Sequence, residues 1–122
     1  MLKKTSEITE AELEVMKILW LSGEPTSTQL VCDKLTDKEW KYNTVSTLLS
    51  RMVDKGAVTY EKRGKLYFYS PTIKEADYKE TQTKNLVSKL YDGSVKKLAV
   101  SLFEAGEMSK EDIDDIKKTF NL

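Results

Sequence analysis

A mainly α protein with a small β-hairpin is what this sequence predicts, and three observations carry the expectation. Apolar residues recur at helical spacing through most of the 122 residues. One stretch, Val58 to Tyr69, instead alternates around the basic turn Glu61-Lys62-Arg63-Gly64-Lys65. It follows a helical segment stopped by Gly56, and Pro71 closes it. Helix, glycine and charged hairpin in that order is the output half of a winged helix-turn-helix. The expected architecture is a winged-helix N-terminal domain over 1–72 and a three-helix C-terminal dimerisation domain over 73–122.

Each element has its own local reason. Thr9-Glu10-Ala11-Glu12 is a capping box, flanked by Ile8 and Leu13 as a hydrophobic staple. Behind it Leu13, Val15, Met16, Ile18, Leu19 and Trp20 make a broad apolar face, and Gly23 stops the helix. Glu24-Pro25 is a turn, and Thr26 to Gln29 repeats the cap pattern for a short second helix with Leu30, Val31 and Leu35 inward. Trp20 and Cys32 read as packing residues. In the third helix Val45, Leu48, Leu49 and Met52 fall at i, i+3, i+4 and i+7 and face the core.

The opposite face of that third helix carries Asn43, Thr44, Ser46, Thr47, Ser50 and Arg51. Ordinary surface helices favour Glu, Lys and Gln, whose helix propensity is higher. Short polar side chains with one arginine permit close approach to the major groove and supply donors and acceptors for base edges. Lys62, Arg63 and Lys65 at the hairpin tip, with Lys55, suit phosphates. A lysine-rich edge that discourages strand-to-strand aggregation is the rival explanation for that tip.

Past Pro71 the stripes Leu86, Val87, Leu90, Tyr91 and Val95, Leu98, Ala99, Leu102, Phe103 are separated by Asp92-Gly93. Ala105-Gly106 is a second break, and Ser109-Lys110-Glu111-Asp112 caps a last helix bearing Ile113, Ile116 and Phe120. Three short helices have little depth for a private core. The expected dimer interface is therefore Leu86, Leu90, Tyr91, Leu98, Leu102, Phe103, Ile113, Ile116 and Phe120, and a homodimer suits a two-fold-symmetric target.

Composition narrows the classes of function. The chain has no histidine and one cysteine, so Ser-His-Asp and Cys-His nucleophile systems are excluded and no metal site or cofactor is expected. An enzyme is not expected. Neither a membrane-spanning run nor an apolar leader core is present, which points to a cytoplasmic protein without membrane insertion. Net charge is zero, yet Lys41 to Lys65 holds six basic residues against Asp54 and Glu61. Positive charge is thus concentrated where DNA-facing elements would lie.

ITEAELEVMKILW, the Trp40 to Gly56 segment, the YFYSP strand end and the helical tail together resemble the BlaI/MecI/CopY family of small bacterial winged-helix repressors. The resemblance implies a homodimer that binds double-stranded palindromic operator DNA and represses transcription. In the penicillinase and methicillin-resistance branches it further implies a membrane sensor-protease as partner, with cleavage in the dimerisation domain. The scissile pair aligns with Ser101 and Leu102. The copper branch carries a cysteine-rich tail that is missing here. Two departures bear on the operator: Trp40-Lys41-Tyr42-Asn43-Thr44 stands where the antibiotic branch has Trp-Ser-Pro-Lys-Thr, and Ser46 where a longer side chain is common. The rival expectations are a repressor of a non-antibiotic regulon and a winged-helix adaptor that binds protein instead of DNA.

Overall fold

The structure, a computed structural model, describes residues 7–119. Along the chain run α1 (Glu10–Ser22), β1 (Thr26–Ser27), α2 (Thr28–Lys34), α3 (Tyr42–Asp54), β2 (Val58–Arg63), β3 (Leu66–Pro71), α4 (Glu75–Leu90), α5 (Val95–Glu104) and α6 (Lys110–Thr119). Two compact units result, the first ending at Tyr78 and the second beginning at Lys79. Ile73 and Tyr78, which the sequence division assigns to the tail, lie in the first unit. The reason is Trp20: its Nε1 donates to the Ile73 carbonyl at 2.9 Å, and its ring lies 5.6 Å from that of Tyr78.

The caps follow the sequence closely. Glu12 N donates to Thr9 Oγ1 at 3.2 Å and Thr9 N donates to Glu12 Oε1 at 2.9 Å, so both arms of the capping box form. At the end of α3, Gly56 takes a φ of 79°, Gly56 N donates to Val53 O and Ala57 N to Met52 O. That paired closure satisfies carbonyls the helix leaves orphaned, and the left-handed residue in it favours glycine.

Three details differ from the sequence reading. The α2 cap is Ser27, whose Oγ accepts from Leu30 N at 3.2 Å, and Thr26 lies ahead of the helix. Thr26 and Ser27 form β1, which pairs with Tyr69 and Phe68, so the hairpin becomes a three-stranded antiparallel sheet in the order β1-β3-β2. A two-residue strand has no alternation to read, and only its partner reveals it. Leu30, expected inside, is 47% exposed: it lies about 100° round the helix from Val31, and Val31 and Leu35 take the buried side.

The core of the first unit joins Val15, Met16 and Leu19 of α1, Val31 and Leu35 near α2, Val45, Leu48, Leu49 and Met52 of α3, then Ala57, Val58 and Tyr69. All four expected inward residues of α3 are buried. Burial of this face holds the other side of α3 toward solvent.

In the second unit, Ser94 caps α5 by accepting from Lys97 N at 3.1 Å, and Ser109 and Asp112 make a reciprocal cap at α6. Neither α5 nor α6 contains a buried residue. No helix among the described residues is long and apolar enough to cross a membrane.

Candidate nucleic-acid interface

Asn43, Thr44, Thr47, Ser50 and Arg51 are exposed on α3, and Ser46 is half-buried at the edge of the same face. The hydroxyl of Thr47 donates to the Asn43 carbonyl at 2.9 Å, which leaves its oxygen free to accept. Arg51 makes no ion pair among the described residues, so its guanidinium is available for a bidentate acceptor. At the start of the helix, Lys41 is the N-cap residue and makes no side-chain cap, and the first turn has no acidic residue. Amide donors and a lysine therefore meet at the end of the helix that would enter a groove.

The hairpin places its cations in two ways. Arg63 pairs with Leu66, so the turn is Gly64-Lys65 alone, with Gly64 at a φ of 63° as a two-residue turn with glycine first requires. Lys65 therefore sits at the tip, while Lys62 and Arg63 belong to β2. Alternation puts Tyr60 and Lys62 on one face with Tyr67 and Tyr69, and Glu61 and Arg63 on the other with Phe68. Lys62 Nζ lies 5.7 Å from the Tyr67 ring centroid, and Arg63 lies 4.6 Å from that of Phe68. Arg63 is also paired with Glu61, which offsets much of its charge.

Lys55 lies elsewhere. Its Nζ sits 2.6 Å from Glu12 Oε1 and 2.6 Å from the Glu7 carbonyl, at the end of α3 opposite the uncapped one. Lys41, Arg51, Lys62 and Lys65 are the cations of the segment that the structure leaves outward and outside any ion pair among the described residues.

A cluster of tyrosines was not singled out in the sequence. Tyr60 meets Tyr67 edge to face with centroids 5.1 Å apart, and Tyr69 at 6.1 Å. Burial pushes the Tyr69 hydroxyl above its ordinary pKa; a hydrogen bond to Thr28 opposes this, and the hydroxyls of Tyr42, Tyr67 and Tyr60 add to it. Tyr42 opens α3, so α3 and the wing both contribute to the electrostatic surroundings of the Tyr69 hydroxyl. Tyr42, Tyr60 and Tyr67 remain 41–49% exposed. The signal available in the sequence was the alternation that sets Tyr60 and Lys62 on one face.

In the second unit Ser101 and Leu102 lie inside α5, and the Tyr91 hydroxyl is 3.2 Å from Ser101 Oγ. Leu86, Leu90, Leu102, Phe103 and Ile116 are exposed, Tyr91, Leu98 and Ile113 are half-buried, and Phe120 lies outside the described residues. No cluster of three or more His, Cys, Asp or Glu suited to a metal occurs among the described residues.

The family model for the penicillinase repressor matches residues 8–121. The chain belongs to this family. Among relatives in the penicillinase repressor family, the penicillinase repressor of Bacillus licheniformis is 30% identical over 115 residues, covering 94% of this chain and 90% of that one. The methicillin resistance regulatory protein MecI of Staphylococcus aureus strain N315 is 30% identical over 118 residues, covering 97% and 96%. The solution structure of the DNA-binding domain of the repressor BlaI matches with a TM-score of 0.53 at 39% identity, over 62% of this chain and 93% of that one. The Bacillus licheniformis BlaI monomeric form in complex with the blaP half-operator matches with a TM-score of 0.51 at 38% identity, over 62% and 92%. Membership in the penicillinase repressor family thus extends from the winged helix into the helical tail.

Proposed function

We propose that this protein is a DNA-binding transcriptional repressor that acts as a homodimer on a two-fold-symmetric operator. The observation that carries the reading is the outward face of α3, where short polar side chains and Arg51, in no ion pair among the described residues, stand beside a wing tipped by Lys65. Asn43, Thr44, Ser46, Thr47 and Arg51 read or approach bases, and Lys62, Arg63 and Lys65 approach phosphates. Kinship with BlaI and MecI supports this, as does the blaP half-operator bound by the BlaI relative. The protein works by binding, not by catalysis.

Dimerisation is supported by the second unit. Val95, Leu90, Phe103 and Ile116 are 69%, 63%, 40% and 44% exposed on short helices, an arrangement that a second copy would cover. Release from DNA by proteolysis at Ser101-Leu102 belongs to the same proposal. Ser101 O accepts from Ala105 N and Leu102 O from Glu107 N, so the bond must leave its helix before a protease can bind it extended. With no buried residue in α5, that local opening is inexpensive. Control of β-lactam-resistance genes by a membrane sensor-protease is the regulon this kinship favours.

Fluorescence anisotropy with the gene's own upstream duplex and a scrambled duplex, across about 50–300 mM salt, tests the reading. A preference of ~10³ or more for the native fragment, with steep salt dependence, is expected. Equal, weak binding to both would leave a protein-binding adaptor as the better account.

A further inference from the structure

We infer that the Glu12–Lys55 ion pair sets the tilt of the recognition helix, and that both are positioning residues for sequence discrimination and not DNA contacts. This rests on the DNA-binding reading above. Glu12 is 1% exposed and Lys55 is 22% exposed at the side chain, with Nζ 2.6 Å from Oε1. A capping box needs no charge at its fourth position, since glutamine serves there equally well. Yet a carboxylate is buried, and its Oε2 has no hydrogen-bond partner among the described residues. Such burial is costly unless the charge is paired and hydrogen-bonded, so the carboxylate depends on its partner. Its counter-charge is Lys55, the C-cap residue of α3.

The pair fastens one end of α3 only. At that end Lys55 is held by Glu12 and by the Glu7 carbonyl, and Gly56 O accepts from Thr72 Oγ1 at 2.6 Å. The other end, at Lys41, has no side-chain cap. A helix of 13 residues is a lever of about 20 Å, so a tilt of about 5° at the fastened end moves the other by about 1.7 Å. Hydrogen bonds to base edges tolerate about 0.5 Å. Contacts to phosphate, which act through charge and counterion release, tolerate far more. Loosening the clamp therefore lowers discrimination before it lowers general affinity.

Lys55→Met, Lys55→Arg and Glu12→Gln in the full chain, with the Glu12→Gln/Lys55→Met double variant that leaves no lone buried charge, separate the two roles. Each is titrated with the native upstream duplex and the scrambled duplex, well below its own melting temperature. A clamp predicts that Lys55→Met, Glu12→Gln and the double variant lose at least about fivefold in native-over-scrambled preference, the low end for one base contact. Their salt slopes match wild type, and Lys55→Arg retains the preference. A phosphate contact predicts instead equal weakening on both duplexes and a slope lower by about one in the Lys55→Met variants, with Glu12→Gln unaffected. That result overturns the inference, as does a folded double variant with unchanged preference. A wild type without preference would overturn the repressor reading itself, which a failure of the variants alone does not.

Discussion

The indole Nε1 of Trp20 donates to the carbonyl of Ile73 at 2.9 Å, joining residues 53 apart in the chain. It ties the end of α1 to the strand leaving β3, and the Tyr78 ring packs beside it. A half-buried carbonyl beyond the sheet's last pairing thereby gains a donor.

Trp20→Phe keeps an aromatic ring but removes that donor. We expect a loss of about 1–3 kcal/mol, from one unmade hydrogen bond and the smaller ring. Chemical denaturation of the full chain measures it. Native-like stability would mean that packing alone holds this junction.

Glu12 gives stability a pH dependence. Burial is the largest single influence and pushes its carboxyl up. The Lys55 hydrogen bond, the Thr9 amide, the charge of Lys55 and the Thr9 hydroxyl together outweigh it and hold the carboxyl below its ordinary value. With the folded pKa depressed, the stabilisation is complete above the unfolded value of about 4.3 and is lost as pH falls through the folded one. Melting temperatures followed from about pH 7 to about pH 3 should fall less steeply for Glu12→Gln than for wild type. Parallel profiles would refute the assignment.

Arg51 and Lys65 should fail in different ways. Arg51→Ala is expected to cost about 1–3 kcal/mol on the native operator and little on scrambled duplex, as for a bidentate base contact. Lys65→Ala should weaken both duplexes alike and lower the salt slope by about one. Unchanged operator affinity in Arg51→Ala would remove α3's outward face from the reading role.

Phe103→Glu places a charge on the exposed apolar face of α5. Sedimentation velocity should show a dimer for the wild type and a monomer for the variant at the same concentration, with DNA affinity falling because each half offers half the contacts. A variant that stays dimeric would locate the interface elsewhere.

Periodicity and punctuation determined much of this protein. The spacing of Val45, Leu48, Leu49 and Met52 decided which side of α3 is core, and hence which side is outward, because a helix has only one register for its apolar stripe. Gly56 and Gly64 marked a helix end and a hairpin turn, since both need a left-handed backbone. The basic stretch from Lys41 to Lys65 was legible as charge.

Tertiary structure decided what each charge does. Lys55 and Lys65 are alike in sequence, but 43 residues separate Lys55 from the Glu12 that binds it, and no local pattern reports such a pair. Strand β1 exists only because β3 passes beside Thr26 and Ser27. The grouping of Tyr42 with Tyr60, Tyr67 and Tyr69 likewise needs α3 and the wing to be folded together. Helix register and turn conformation are written in neighbouring residues. Ion pairs and strand partners are settled by distance in space, which the chain acquires only on folding.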